Sequence, residues 1–335
     1  MKSAKYLFPL LSVVLFSACG GSDNDDLGAA LPAAAAPSSA GAASSAPGAS
    51  PTIDKVAGAS GFNALLAAAT KAELGAALAD SNARLTVFAP TDAAFNQLAA
   101  SLGFANATAM VDALPPAALK SILTYHVLPA SRAASELRAT PQSAQPTLYS
   151  FEGQPAAVTL NSSQSSVTLT DAALTTANVT APDVAASNGV IHAIDKVLVP
   201  PGVLNIVQMA QVNPQLSSLV GAVTGANLQA SLSAPGAFTV FAPTNSAFAA
   251  APAGLTPQQL KTVLTYHALG TQVLASQIPF GAPVNTLASQ SIVINAGTPP
   301  TISDTSATPA RIVATNVRAS NGVIHVIDKV LIPAL

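Results

Sequence analysis

All four histidines of this 335-residue chain lie in segments that occur twice. They form two matched pairs, His126 with His267 and His192 with His325. An imidazole can bind a metal or a haem iron, and it can also act as a general base. The histidines therefore raise two chemical hypotheses, a metal or haem site and a hydrolytic site.

The metal or haem hypothesis lacks further ligands. Such sites use three or four ligands that are themselves held by hydrogen bonds, but the one cysteine is Cys19 and the one repeated acid that we find is Asp195, with Asp328. His126 and His267 lie on apolar faces of predicted helices, where a hydrogen-bonded core histidine is the commoner outcome. We therefore predict structural histidines, no metal and no cofactor. Small-ligand, metal or haem binding by these histidines is the alternative function.

A Ser-His-Asp hydrolase would require a motif histidine beside a motif aspartate. His192 and Asp195 are three residues apart in a predicted strand and so point to opposite faces, as do His325 and Asp328. The chain contains no Gly-x-Ser-x-Gly segment. We predict that the protein is not an enzyme and that Asp195 and Asp328 bind backbone amides near the strand end.

The longest repeat positions two of the histidines. Residues 187–198, Ser-Asn-Gly-Val-Ile-His-Ala-Ile-Asp-Lys-Val-Leu, return at 320–331 with Val326 in place of Ala193. Each copy predicts an Asn-Gly turn, at Asn188 or Asn321, followed by a strand. Apolar residues occupy both parities, which indicates burial on both faces. We predict that this closing motif completes each of two structural units.

Two shorter segments repeat in the same order before the closing motif. Thr-Val-Phe-Ala-Pro-Thr-Asp at 86–92 matches 239–245 and predicts a strand, a turn and a helix capped by threonine. Asp92 has Asn245 as its counterpart, so we assign both to local turn and cap chemistry. A helix that begins with proline then ends in Tyr125-His126, and its copy ends in Tyr266-His267. The stretches that follow, rich in Ser, Thr and Val, predict short antiparallel strands.

These three motifs together resemble the fasciclin domain family, over about residues 52–335. The resemblance implies an α+β fold with two tandem fasciclin-like domains, each a β-sandwich or wedge of about seven strands with several helices. We place the domains at 51–200 and 201–335, and Pro200-Pro201 as the one linker predicts close coupling between them. The resemblance also implies adhesion at a cell surface or in a matrix, and no shared catalysis.

Animal members of the family carry an integrin-reactive Glu-Pro-Asp-aliphatic segment just before the closing motif. The matching positions here are Ala181, Pro182, Asp183 and Val184, without the glutamate, and the second copy at 314–317 is Ala-Thr-Asn-Val. Integrin binding therefore does not carry over. We predict an exposed loop at Pro182, Asp183 and Val184 as the partner-binding site.

The N-terminal residues predict export. Lys2 and Lys5 precede an apolar stretch, so residues 1–18 are a predicted signal peptide. Leu-Phe-Ser-Ala-Cys-Gly at 15–20 resembles a bacterial lipobox, which would leave Cys19 as a lipidated N-terminus and the chain's one contact with a bilayer. Residues 19–50 then form the anchor and a tether rich in Ala, Ser, Pro and Gly. We expect a protein anchored in the bacterial outer membrane or at the cell surface, with a secreted or periplasmic protein as the alternative.

The composition limits the partners. Charged residues make up 8% of the chain, against a usual share of roughly 25%, and no basic stripe or run occurs. This excludes nucleic acid as an expected partner. A surface or matrix protein or a polymer is the expected partner, and the sequence gives no oligomeric state.

Overall fold

The computed structural model describes residues 50–251 and 254–335. The predicted signal peptide, Cys19 and all of the predicted tether except Ser50 lie outside the described residues. From Ala49 onwards the chain forms one compact unit, and this unit contains two domains built from the same parts. The α+β prediction of two tandem domains, each with about seven strands, is confirmed.

The first domain places most of its helices before most of its strands. Its elements are α1 (Ile53–Ala59), α2 (Asn63–Lys71), α3 (Gly75–Ala79), β1 (Leu85–Pro90), α4 (Asp92–Ser101), α5 (Ala107–Ala113), α6 (Pro116–Tyr125), β2 (Val127–Leu128), α7 (Ala134–Arg138), β3 (Ser143–Phe151), β4 (Gln154–Ser162), β5 (Val167–Thr170), β6 (Thr176–Ala186) and β7 (Gly189–Ile194).

The second domain repeats this order with shorter connections. Its elements are α8 (Ile206–Val212), a 3-10 turn (Pro214–Leu216), α9 (Ser217–Gly225), α10 (Gln229–Ser233), β8 (Phe238–Pro243), α11 (Asn245–Ala249), α12 (Pro257–Tyr266), β9 (Ala268–Leu269), a second 3-10 turn (Ala275–Gln277), β10 (Pro283–Asn285), β11 (Ser291–Asn295), β12 (Thr301–Ser303), β13 (Ala310–Ala319) and β14 (Gly322–Ile327). Among the residues that the structure describes, this domain has no counterpart of α5.

The closing motif forms a central strand in each sheet. The strand order is β2-β1-β7-β6-β5-β4-β3 in the first domain and β10-β11-β12-β13-β14-β8-β9 in the second. β7 runs parallel to β1, with Leu85 opposite Gly189, and antiparallel to β6. Because β7 has neighbours on both edges and is largely buried on both faces, the expectation of a strand buried on both faces is confirmed.

The glycine of the Asn-Gly turn is fixed by close backbone contact. A Cβ atom on Gly189 would lie 2.1 Å from the carbonyl oxygen of Leu85, and one on Gly322 would lie 2.1 Å from that of Phe238. No side chain fits at this spacing. Glycine is therefore required where the closing strand enters the sheet.

The two domains are in direct contact. Arg318, on β13, forms an ion pair with Glu152 of the β3–β4 turn and stacks on Phe151, with its guanidinium carbon 5.3 Å from the ring centroid. The Tyr149 hydroxyl donates to the carbonyl oxygen of Pro201 at 3.0 Å. These contacts agree with the close coupling expected from a two-residue linker.

Within residues 50–251 and 254–335, no helix is both long enough and apolar enough to cross a membrane.

Candidate functional site

His126 and His267 bind the backbone through both ring nitrogens. His126 Nδ1 lies 2.7 Å from the carbonyl oxygen of Ile122, and its Nε2 accepts the Leu198 N–H at 2.8 Å. His267 makes the same pair of bonds, to Val263 at 2.7 Å and from Leu331 at 2.9 Å. Each ring is therefore neutral with its proton on Nδ1, and burial lowers the pKa of both histidines to about 4. Neither ring has a lone pair left for a metal.

His192 and His325 lie within the closing strands and use the opposite tautomer. His192 Nε2 lies 3.0 Å from the carbonyl oxygen of Arg132, and its Nδ1 accepts the Asp183 N–H at 3.1 Å. His325 Nε2 bonds the Val273 carbonyl at 2.9 Å, whereas its buried Nδ1 has no hydrogen-bond partner among the described residues. Burial lowers the pKa of both rings. They join the closing strand to the loop that follows the Tyr-His motif.

The other motif residues also bind backbone within their own domain. Asn188 accepts from the Ile53 N–H at 3.0 Å and donates to the carbonyl oxygens of Leu78 and Asp80, both at 2.9 Å. Asn321 repeats all three bonds, to Ile206, Leu232 and Ala234. The buried hydroxyls of Tyr125 and Tyr266 donate to the carbonyl oxygens of Ala157 and Ser291, and burial raises the pKa of both tyrosines.

Asp195 and Asp328 face away from the neighbouring histidines. Asp195 accepts from the Asn178 backbone N–H at 2.7 Å and from its side-chain amide at 2.6 Å, and Asp328 accepts from the Arg311 N–H at 2.7 Å. Their carboxylates bind backbone amides beside the strand end. The structure does not bring a histidine and an aspartate of the closing motif together as a hydrolase would require.

A second acid, which was not predicted from the sequence, is also repeated in the two domains. Asp171 and Asp304 are separated by the same spacing as the two closing motifs, so the statement that Asp195 and Asp328 are the one repeated acid pair was wrong. Asp171 accepts from the backbone N–H groups of Ala173, Thr175 and Val199, and Asp304 accepts from Ile332, the counterpart of Val199. The Thr175 hydroxyl also donates to Asp171. These four hydrogen bonds favour the charged carboxylate, but burial outweighs them and raises the pKa of Asp171 to about 6. Both acids therefore bind the backbone of the segment that follows the closing strand.

Asp92 and Asn245 act at longer range than the sequence suggested. Thr91 caps α4 through the Ala94 N–H, as expected. The Asp92 carboxylate, however, accepts the Ala64 N–H of α2 at 2.8 Å, and Asn245 likewise accepts the Ser218 N–H of α9 at 2.9 Å. The assignment of both to local chemistry was therefore wrong. An oxygen acceptor suffices for this role, which explains why aspartate and asparagine exchange here.

The predicted partner-binding residues lie on a bulge in β6 and not in a free loop. The register with β7 shifts between Ala181 and Val184, and Asp183 has a φ of 60°. The exposed Asp183 side chain accepts the Ala134 N–H at 2.7 Å, which fixes the adjacent loop, and Val184 is half-buried. Asn316 occupies the same conformation in the second domain, with φ 60°, and accepts the Ala275 N–H at 2.9 Å. Pro182 is exposed on the outer side of this bulge.

Among the residues that the structure describes, no three His, Cys, Asp or Glu side chains are grouped to hold a metal ion.

The Fasciclin domain family model matches the chain twice, over residues 60–200 and 214–333. The chain belongs to the fasciclin domain family. The resemblance found in the three repeated motifs is thus confirmed.

Known fasciclin proteins that are similar to this chain come from bacteria and animals. Protein sll1483 of Synechocystis sp. is 41% identical over 142 residues, which are 39% of this chain and 75% of that protein. Human periostin is 35% identical over 155 residues, 44% of this chain but 18% of periostin. The cell surface glycolipoprotein MPB83 of Mycobacterium bovis is 36% identical over 133 residues, 36% of this chain and 57% of MPB83. Each of these matches is about the length of one fasciclin domain.

Proposed function

We propose that this chain is a non-enzymatic adhesion or matrix-binding protein that binds a surface protein or a polymer through its two fasciclin domains. The observation that carries the proposal is that the repeated polar side chains form hydrogen bonds inside their own domain. The histidines and the motif aspartates are bonded to the backbone of their own domain, so the repeated motifs build the fold and leave function to the outer surface. Fasciclin domains occur in adhesion and matrix proteins, which supports the same role.

The proposed location is the bacterial cell surface or outer membrane, with lipidated Cys19 as the anchor. The lipobox-like residues 15–20 motivate this proposal, and the similar protein MPB83 is named a cell surface glycolipoprotein. We expect Cys19→Ser to release the protein from the membrane fraction into the soluble exported fraction. Unchanged membrane association of this variant would contradict lipidation at Cys19.

The bulge at Pro182, Asp183 and Val184 is the proposed contact with the partner. Its support is geometric: Pro182 and Asp183 are exposed, and bonds to His192 and Ala134 hold the bulge in one shape. A preformed surface loses little conformational entropy on binding. Two such domains on one chain would also add avidity through effective concentration.

Binding of the soluble Cys19→Ser protein to whole cells and to isolated matrix tests the function. We expect saturable binding, which weakens in Asp183→Asn because this change removes a charge and keeps the acceptor that Asn316 supplies in the second domain. Asn316→Asp is the matched control and should bind normally. Absence of binding to cells and matrix, together with a Soret band or stoichiometric metal in the purified protein, would contradict adhesion and support ligand binding as the function.

A further inference from the structure

Lys196 and Lys329 occupy the same position of the closing motif but have different surroundings. Lys329 Nζ donates to the Ser306 hydroxyl and to the Thr308 carbonyl oxygen, which fastens the loop that begins at Asp304. In the first domain the counterpart of Ser306 is Ala173. The side chain of Lys196 forms no hydrogen bond or ion pair with any of residues 50–251 and 254–335.

The second domain contacts the equivalent loop of the first domain. The Asn213 side chain donates to the Ala173 carbonyl oxygen at 2.9 Å, so the end of α8 lies against the loop that follows β5. Between α4, the segment after β7 and the end of α8 lies a cleft of about 90 Å³. This volume is enough for several water molecules or one small ligand group. The half-buried Lys196 lines it.

The lining of this interdomain cleft suits an anion. Besides Lys196 it contains the polar side chains of Gln97, Ser101, Thr175 and Gln211, and none of the described residues that line it is acidic. Asp195, the neighbouring acid in sequence, is already bonded to Asn178. The Ser101 and Thr175 hydroxyls already donate to the Gln97 carbonyl oxygen and to Asp171. Among the described residues, the lining donors without a partner are therefore the Lys196 ammonium and the side-chain amides of Gln97 and Gln211. One ammonium beside two neutral amides is a site for a single oxyanion group, because a partly desolvated cation gains most from an ionic hydrogen-bond partner.

We propose that the interdomain cleft binds one small oxyanion group, a carboxylate or a sulfate, on Lys196. The anion site stands on the contacts above and does not depend on adhesion. If the partner of the proposed function is a polymer, the same site predicts that the polymer is acidic, and only this extension rests on the proposed function.

NMR titration of the full chain as the Cys19→Ser protein tests the site, with sodium sulfate and sodium acetate as probes. We expect saturable shifts of the amides of Gln97, Ser101 and Gln211, beyond those caused by sodium chloride at the same ionic strength. Lys196→Met should weaken anion binding by about tenfold or more, the effect of losing one charge-assisted hydrogen bond. Its folding should be unaffected, since Lys196 contributes no hydrogen bond to either domain.

Lys261→Met is the charge-matched control, because Lys261 is exposed on α12. It should bind both anions as the parent protein does. Shifts that match those of chloride, or that persist unchanged in Lys196→Met, would overturn the anion site while leaving the binding of cells and matrix to be judged by its own assay. A response to sulfate but not acetate would restrict the site to sulfated groups, and the reverse to carboxylates.

Discussion

His126 is held in one protonation state by the backbone it binds. Its Nε2 must stay unprotonated to accept the Leu198 N–H, and its ring is almost completely buried. Adding a proton would break this bond and place a charge in the core, which is why the pKa is low. His267 has the same environment, so both domains carry the same acid-sensitive bond.

The pair predicts loss of stability in mild acid. The unfolded chain takes up a proton on each histidine below pH 6.5, whereas the folded chain does so only near pH 4. The free energy of unfolding therefore falls as the pH decreases through this window. We expect a loss of about 2 kcal/mol for each histidine between pH 7 and pH 5, measured by chemical denaturation.

His126→Gln provides the control, because its amide oxygen can accept the Leu198 N–H and does not titrate. Its stability should depend less steeply on pH over the same range, and His267→Gln should behave alike. Asp171 acts in the opposite direction, since its raised pKa favours the folded state below about pH 6. One acid opposes four histidines, because burial also lowers the pKa of His192 and His325. Equal stability of the parent protein at pH 5 and pH 7 would contradict neutral, buried histidines.

Residue roles were predictable where two copies could be compared position by position. The pairing of each histidine with a copy in an apolar motif predicted a structural role, and the backbone hydrogen bonds of His126 and His192 are consistent with that prediction. Asp171 was missed because it lies outside the longest repeat, in a loop where the copies share only the acid and a threonine. The bond from Asp92 to Ala64 joins residues far apart in sequence, and no local pattern encodes it.

At the scale of elements, the Asn-Gly turn connects the beginning of each domain to its end. Asn188 joins the first turn of α1 and the C-terminal end of α3 to the start of β7. The turn and the strand were predictable from the motif. The parallel pairing of β7 with β1 was not, because a local apolar pattern does not identify the strand beside which it will lie.

Asn188→Ala should destabilise the first domain by about 2–3 kcal/mol, because one buried N–H and two carbonyl groups lose their partner. Asn321→Ala should cost the second domain the same amount. Denaturant unfolding curves of the full chain measure both effects. Asn82→Ala, at an exposed position of the first domain, should change stability by no more than about 0.5 kcal/mol. If Asn188→Ala were as mild as Asn82→Ala, the turn would not hold α1 in place.

At the scale of the whole molecule, Arg318 contributes an ion pair and a stacking contact between the domains. Arg318 contacts Glu152 and Phe151 across the interface, and its counterpart in the first domain is Ala185. A residue that is absent from the other copy cannot be found by comparing repeats. The short linker predicted that the domains are close, but only the structure identifies Arg318 as one of the residues that connect them.

Arg318→Ala should uncouple the unfolding of the two domains. The ion pair and the stacking contact together are worth about 1–2 kcal/mol, since Glu152 is more than half exposed and water screens the pair. We expect one calorimetric transition for the parent protein and two resolved transitions for the variant. Arg311→Ala, which removes an exposed arginine from the same strand, should leave one transition. A single unchanged transition in Arg318→Ala would mean that other contacts couple the domains.

The parallel pair of β1 and β7 also determines when a nascent chain can finish folding. Leu85 pairs with Gly189, 104 residues later, so β1 lacks a central neighbour until the last strand of the domain has been synthesised. Such high contact order makes folding slow compared with that of helical proteins. Each domain therefore remains incomplete until its C-terminal residues leave the ribosome, and the same delay recurs when β14 joins β8 in the second domain.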